Sequence, residues 1–156
     1  MSVKHFRNAV FAVCVLAVAA LAADNPFVGT WKMNAEKSKV AGADALQNVT
    51  VKYELDGNTL KASVDATNAQ GQPVSFTYQA PTDGKPGTAT GAPNFDTITI
   101  HQLSPNSLRV IAKKGDQTAY TDRRTVSKDG KTLTIARTGT DSQGKPFRAL
   151  MVFDKQ

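Results

Sequence analysis

VTVKYELDGNTLKASVDAT, residues 49–67, holds two short runs in which apolar and polar side chains alternate strictly. Val49, Val51, Tyr53 and Leu55 alternate with Thr50, Lys52 and Glu54; Leu60, Ala62, Val64 and Ala66 alternate with Lys61, Ser63 and Asp65. A period of two places one set on each face of a β-strand, so both runs are strands with one buried face. Asp56-Gly57 between them is a hairpin turn signal, since glycine supplies the positive φ that tight turns require.

Working outward, the same alternation recurs to the end of the chain. It runs through Val74, Phe76 and Tyr78; Ile98 and Ile100; Leu108, Val110 and Ala112; Tyr120 and Val126; Leu133 and Ile135; and Phe147, Ala149, Met151 and Phe153. Turn strings separate these runs, among them Gln70-Gly71-Gln72-Pro73, Ser104-Pro105-Asn106, Gly115-Asp116, Asp129-Gly130 and Gln143-Gly144-Lys145-Pro146. Strands about ten residues apart joined by tight turns form an antiparallel meander, with no helix of three turns anywhere. An internal repeat at an offset of 73 matches Asp56-Gly57 with Asp129-Gly130 and Gln70-Gly71-x-Pro73 with Gln143-Gly144-x-Pro146. In an up-and-down meander equivalent turns share one end only when an even number of strands separates them, which requires a further short strand around Lys85 to Thr90. An open sheet of that length would expose two edges. The expectation is all-β: a single antiparallel up-and-down β-barrel of about 8–10 strands, apolar face inward, wide enough to hold a small ligand as well as side chains.

The first 22 residues read differently. Lys4 and Arg7 form a basic n-region, Ala9 to Leu21 is an uncharged apolar run of 13 residues, and Ala20-Leu21-Ala22 fits a signal-peptidase site. Such a run is shorter than the roughly 20 residues that span a bilayer. The expectation is a signal peptide over 1–22, cleaved after Ala22, a barrel domain over 23–156, and a secreted or periplasmic location. Cys14 lies inside the apolar run, where the residues before it match a lipoprotein signal poorly. Without residues 1–22 the chain has no cysteine, and 17 basic side chains face 13 acidic ones, a net charge of +4. These charges are interspersed rather than striped, which argues against nucleic-acid binding, and nothing predicts stable membrane insertion. Asn48-Val49-Thr50 matches a glycosylation sequon.

Gly29-Thr30-Trp31, ahead of the meander, resembles the N-terminal signature of the lipocalins and their calycin relatives. The longer string Gly29-Thr30-Trp31-Lys32-Met33-Asn34 with Lys37-Ser38-Lys39 is similar to exported bacterial proteins with a GTWKxN motif. The resemblance implies that Trp31 closes one barrel end, packed by an arginine from a late strand, and that the other end admits hydrophobic small molecules. Three departures accompany it. The lipocalin Thr-Asp-Tyr string has only Tyr120-Thr121-Asp122 as its nearest match, and no C-terminal helix follows the last strand. A ten-stranded barrel of this length is closer to the fatty-acid-binding-protein branch, yet the helical lid of that branch has room only in Ala35 to Asn48, where Ala43 to Leu46 makes at most one turn.

Little catalytic chemistry is on offer. His101 is the one histidine after residue 22, and on Thr97-Ile98-Thr99-Ile100-His101 it falls on the face opposite the isoleucines. Histidine, cysteine and carboxylate patterns for a metal or a nucleophilic triad are missing, and no cofactor is implied. The telling polar residues share the apolar face. With Asp129-Gly130 as central turn residues, Lys128 pairs Lys131, Val126 pairs Leu133, Arg124 pairs Ile135 and Asp122 pairs Arg137, so Asp122, Arg124 and Arg137 point inward. An Asp122–Arg137 pair leaves Arg124 without a carboxylate, to stack on Trp31 or another aromatic or to meet a ligand carboxylate bidentately. The candidate ligand-binding set is Tyr53, Phe76, Tyr78, Ile100, Tyr120, Arg124 and Arg137. Ala62, Ala66, Ala112 and Ala149 on the inner face speak for free space. Three functions fit: an exported binder of a small hydrophobic or amphipathic molecule with a carboxylate, a structural or interaction barrel filled by its own side chains, or a barrel enzyme using Tyr, Asp and Arg. The first is preferred, and no enzyme is expected.

Overall fold

The computed structural model describes residues 24–156; the expected signal peptide over 1–22 and the expected cleavage after Ala22 lie outside the described residues. Ten strands follow one another: β1 Gly29–Met33, β2 Gln47–Asp56, β3 Thr59–Thr67, β4 Pro73–Pro81, β5 Asp83–Thr90, β6 Thr97–Ser104, β7 Ser107–Lys114, β8 Gln117–Val126, β9 Thr132–Thr140 and β10 Pro146–Lys155. Each pairs antiparallel with its neighbours in sequence, and β10 pairs with β1 to close the barrel. This is the closed up-and-down architecture that the alternation demanded, with no helix among the described residues.

The short strand required by turn parity exists as β5, although its composition hides it. It pairs with β4 through only three residue pairs, Thr77–Thr90, Tyr78–Ala89 and Gln79–Thr88. Gly87 permits that approach, because a Cβ there would collide with the Gln79 carbonyl and with Ala80. With ten strands, the β2–β3 and β8–β9 turns share one end and the β3–β4 and β9–β10 turns the other. The two repeat units are not identical at their turns. Asp56 pairs with Thr59 around a two-residue turn whose Gly57 has φ 61°, whereas Ser127 N–H donates to the Thr132 carbonyl at 2.8 Å around the four residues 128–131. Lys128 and Lys131 are thus loop residues and not the terminal pair of the ladder. The register beyond is unaffected, because the wider loop is centred on the same point.

Apolar side chains fill the interior, Ile98, Ile100, Val110, Ala112 and Leu133 being wholly buried. Lysines, threonines and aspartates occupy the outside, the reverse of a membrane-spanning barrel. Trp31 is fully buried at the end where the chain enters β1, beside Phe27. Its indole N–H donates to the Phe27 carbonyl at 2.8 Å, so the one polar atom of the plug is satisfied. The cation over the indole is Lys155 from β10, 5.1 Å from the ring centre. Arg124, expected to stack there or on another aromatic, lies over the Tyr78 ring, 5.7 Å from its centre.

Candidate functional site

The site grows from β8. Period-two alternation turns Tyr120, Asp122, Arg124 and Val126 inward, and all four are buried. β9 sets Arg137 directly across from Asp122 and Ile135 across from Arg124, the register expected from the turn. Arg137 Nε–H donates to Asp122 Oδ1 at 2.7 Å and its NH2 group to Oδ2 at 2.9 Å.

Arg124 is not the unpaired cation that the sequence suggested. Its Nε–H and NH2 group both donate to Asp122 Oδ2, at 3.1 and 2.8 Å. A carboxylate has about four acceptor positions, so one Asp122 serves two guanidiniums. Arg124 NH1 donates to the hydroxyls of Tyr53 at 2.7 Å and Tyr78 at 2.6 Å, which are themselves 3.1 Å apart. Barrel closure brings these tyrosines from β2 and β4 to a strand that follows them by many residues. Arg137 lies 3.6 Å over the Tyr120 ring, a cation–π contact, and its side chain retains 22% exposure against 2% for Arg124.

The electrostatics follow from this geometry. Burial alone would raise the Asp122 carboxyl pKa, but Arg137 and Arg124 more than offset it and hold the group below its ordinary range. Burial pushes Tyr120 up to about 12 and Tyr53 well above the ordinary phenol value. Both arginines stay protonated, since Asp122 among other neighbours counteracts the desolvation that would release a proton. Two cations sharing one anion leave the cluster with one uncompensated positive charge. Donors are in excess too: Arg137 NH1 has no assigned acceptor, and of the two clasped phenols only one can donate its proton to the other.

Above this cluster is a cavity of about 90 Å³. Tyr53, Phe76, Tyr78, Tyr120, Arg124 and Arg137 all line it; Ile100 is buried in the core and is not part of the lining. Ala62, Ala66 and Ala112 are packed core residues rather than empty space, and only Ala149 of the four inner alanines reaches the cavity. Two loops complete it, one absent from the sequence reading and one, within 35–48, considered there only as room for a lid. Phe95, in the β5–β6 loop, is 3% exposed and stands edge-on to Phe76, Tyr78 and Tyr120 at centroid distances of 5.7, 6.3 and 5.5 Å. The segment before β2 contributes Val40 to Leu46. Asp44 fastens it by accepting from the backbone N–H of Ser142 at 2.6 Å and from its hydroxyl at 2.5 Å, and Asp141 accepts from Ala43 N–H at 3.1 Å. His101 is exposed on β6, away from this interior.

No protein-family model matches the sequence, and no curated protein matches it. Eleven solved chains match in structure. Among them is zebrafish ileal bile acid-binding protein complexed with cholic acid, 11% identical, with a TM-score of 0.49 over 84% of this chain and 99% of that one.

Proposed function

We propose that the protein is an exported binder of a small amphipathic molecule carrying a carboxylate. The acid group meets Arg137, backed by Arg124, Tyr53 and Tyr78, and the apolar part lies among Phe76, Tyr120 and the neighbouring aliphatic side chains, with Ile100 as packing beneath. The observation that carries this reading is the charge count of the buried cluster: two guanidiniums, one carboxylate and surplus N–H donors beside a cavity whose other carboxylate, Asp44, is engaged by Ser142. A ligand carboxylate would balance that charge where solvent is scarce. The basic n-region, the apolar run and the Ala20-Leu21-Ala22 string support export, which the mass of the protein from its host, starting at Ala23, checks.

Size decides how binding happens. A cavity of roughly 150 Å³ takes a benzene and typical ligand pockets begin near 300 Å³, so the 90 Å³ here holds a few waters. Ligand uptake therefore displaces Phe95. The same volume favours the second reading, a structural or interaction barrel filled by its own side chains.

Calorimetry of residues 23–156 with octanoate and octanol separates the two. Charged hydrogen bonds contribute about 1.5–3 kcal/mol, so octanoate binds ten- to a hundredfold tighter, and Arg137→Met removes the difference. No heat with either compound, together with no co-purified small molecule in native mass spectrometry, establishes the filled barrel instead.

A further inference from the structure

The outer face of β7–β10 carries a second feature, which borders the interior cavity at Arg137 and Ala149. Cross-strand registers place Arg109 opposite Arg123, Arg123 opposite Ala136, Ala136 opposite Leu150, and Leu150 opposite Lys39 in one row around the barrel. Arg148 and the exposed Leu103 join these residues around a shallow hollow of about 630 Å³. Strands lie about 4.8 Å apart, so the row extends roughly 20 Å.

None of Lys39, Arg109, Arg123 and Arg148 has a carboxylate within 4.0 Å among the described residues; Lys32, Lys37, Lys113, Lys128, Lys131, Lys145 and Lys155 are likewise unpaired, so what marks these four is that they gather around one hollow, with two of them directly opposed. The one acid beside the hollow, Asp122, is fully buried and bound by Arg124 and Arg137. Like charges directly opposed across strands destabilise a sheet, so Arg109–Arg123 is a local cost without an internal partner to offset it. Leu103 and Leu150 flank the cations at 49% and 40% exposure.

We infer that this face docks the barrel onto an anionic phospholipid bilayer. The guanidiniums match phosphate oxygens bidentately, and the two leucines supply an apolar contact at the headgroup boundary. An acidic protein or a nucleic acid would use the cations but have no call on aliphatic side chains; no aromatic residue for base stacking stands among them. The barrel lies on the membrane and does not span it.

Cosedimentation of residues 23–156 with vesicles of phosphatidylcholine, alone or with 30% phosphatidylglycerol, tests this. Binding appears only with the anionic lipid and falls at high salt. At about 1 kcal/mol per basic residue near an anionic surface, Arg109→Gln weakens partitioning about fivefold, yet raises the melting temperature because the like-charge pair is gone. Leu103→Ser with Leu150→Ser lowers vesicle binding and leaves binding to heparin, a soluble polyanion, unchanged. The inference is overturned if anionic vesicles do not bind, if Arg109→Gln and Arg148→Gln bind like the parent, or if the leucine variant binds vesicles as well as the parent does.

Discussion

The Phe95 ring, carried by the β5–β6 loop, stands edge-on to the Tyr120 ring on β8, the centroids 5.5 Å apart at 80°. One loop side chain therefore packs against three inward-facing rings and forms part of the cavity wall. Phe95→Ala removes a ring that is 3% exposed. Such a truncation costs about 3–5 kcal/mol, read by denaturant unfolding. It enlarges the cavity at the same time, so the variant binds small aromatic carboxylates such as benzoate tighter than the parent does. A variant that loses stability and gains no affinity would show that Phe95 is core and not cavity wall.

Trp31→Ala costs about 3–5 kcal/mol by the same large-to-small reasoning, because Trp31 is wholly buried and its N–H is bonded to Phe27. Trp31→Phe keeps most of the volume and loses less. Circular dichroism melts of both variants check the order. The chain has one tryptophan, so tryptophan fluorescence cannot follow the mutants. A melting point for Trp31→Ala within a few degrees of the parent would refute the closed end.

Asp122→Asn removes the only anion from two guanidiniums. Breaking a buried pair by deleting one partner costs about 3–5 kcal/mol, while Asp122→Leu with Arg124→Met and Arg137→Met regains much of it, because no cation is then left in the cluster without its carboxylate. The native carboxyl lies below its ordinary range, so its stabilisation is complete above the unfolded value of about 4 and is lost as pH falls through the lower folded value. Urea titrations from pH 7 to pH 2 therefore show a steeper acid loss in the parent than in Asp122→Asn. Parallel curves would mean that Asp122 is not the group responsible.

All three tyrosines of the chain are cavity residues. Tyr120 titrates at about 12 and Tyr53 also stays protonated well above the usual phenol value, against about 10 when unfolded. The neutral form is favoured by the fold, so this stabilisation is complete below pH 10 and lost as pH rises toward 12. At pH 10.5 the native phenolate absorbance at 295 nm is therefore lower than that in denaturant, because Tyr120 and Tyr53 remain protonated. Equal amplitudes would contradict the buried network.

Much of this molecule was determined by the sequence alone, and for a local reason. Alternation and turn chemistry act over two to four residues, so the strands, the inward face and the Asp122–Arg137 register were all legible from Val49 to Phe153. Even β5, with Gly84, Pro86 and Gly87 in it, followed from the parity of repeated turns. What only the tertiary structure decided depends on closure. Tyr53 and Tyr78 lie 71 and 46 residues from Arg124 along the chain, and no periodicity announces that their hydroxyls converge on it. That Asp122 accepts from its own-strand neighbour as well as from Arg137 is a matter of side-chain reach, which register does not specify. Phe95 sits in Gly91-Ala92-Pro93-Asn94-Phe95-Asp96, a non-repeating loop whose single aromatic is the one available signal. Its burial exists because the barrel mouth offers Phe76, Tyr78 and Tyr120 as partners, and those three rings meet only once all ten strands have joined.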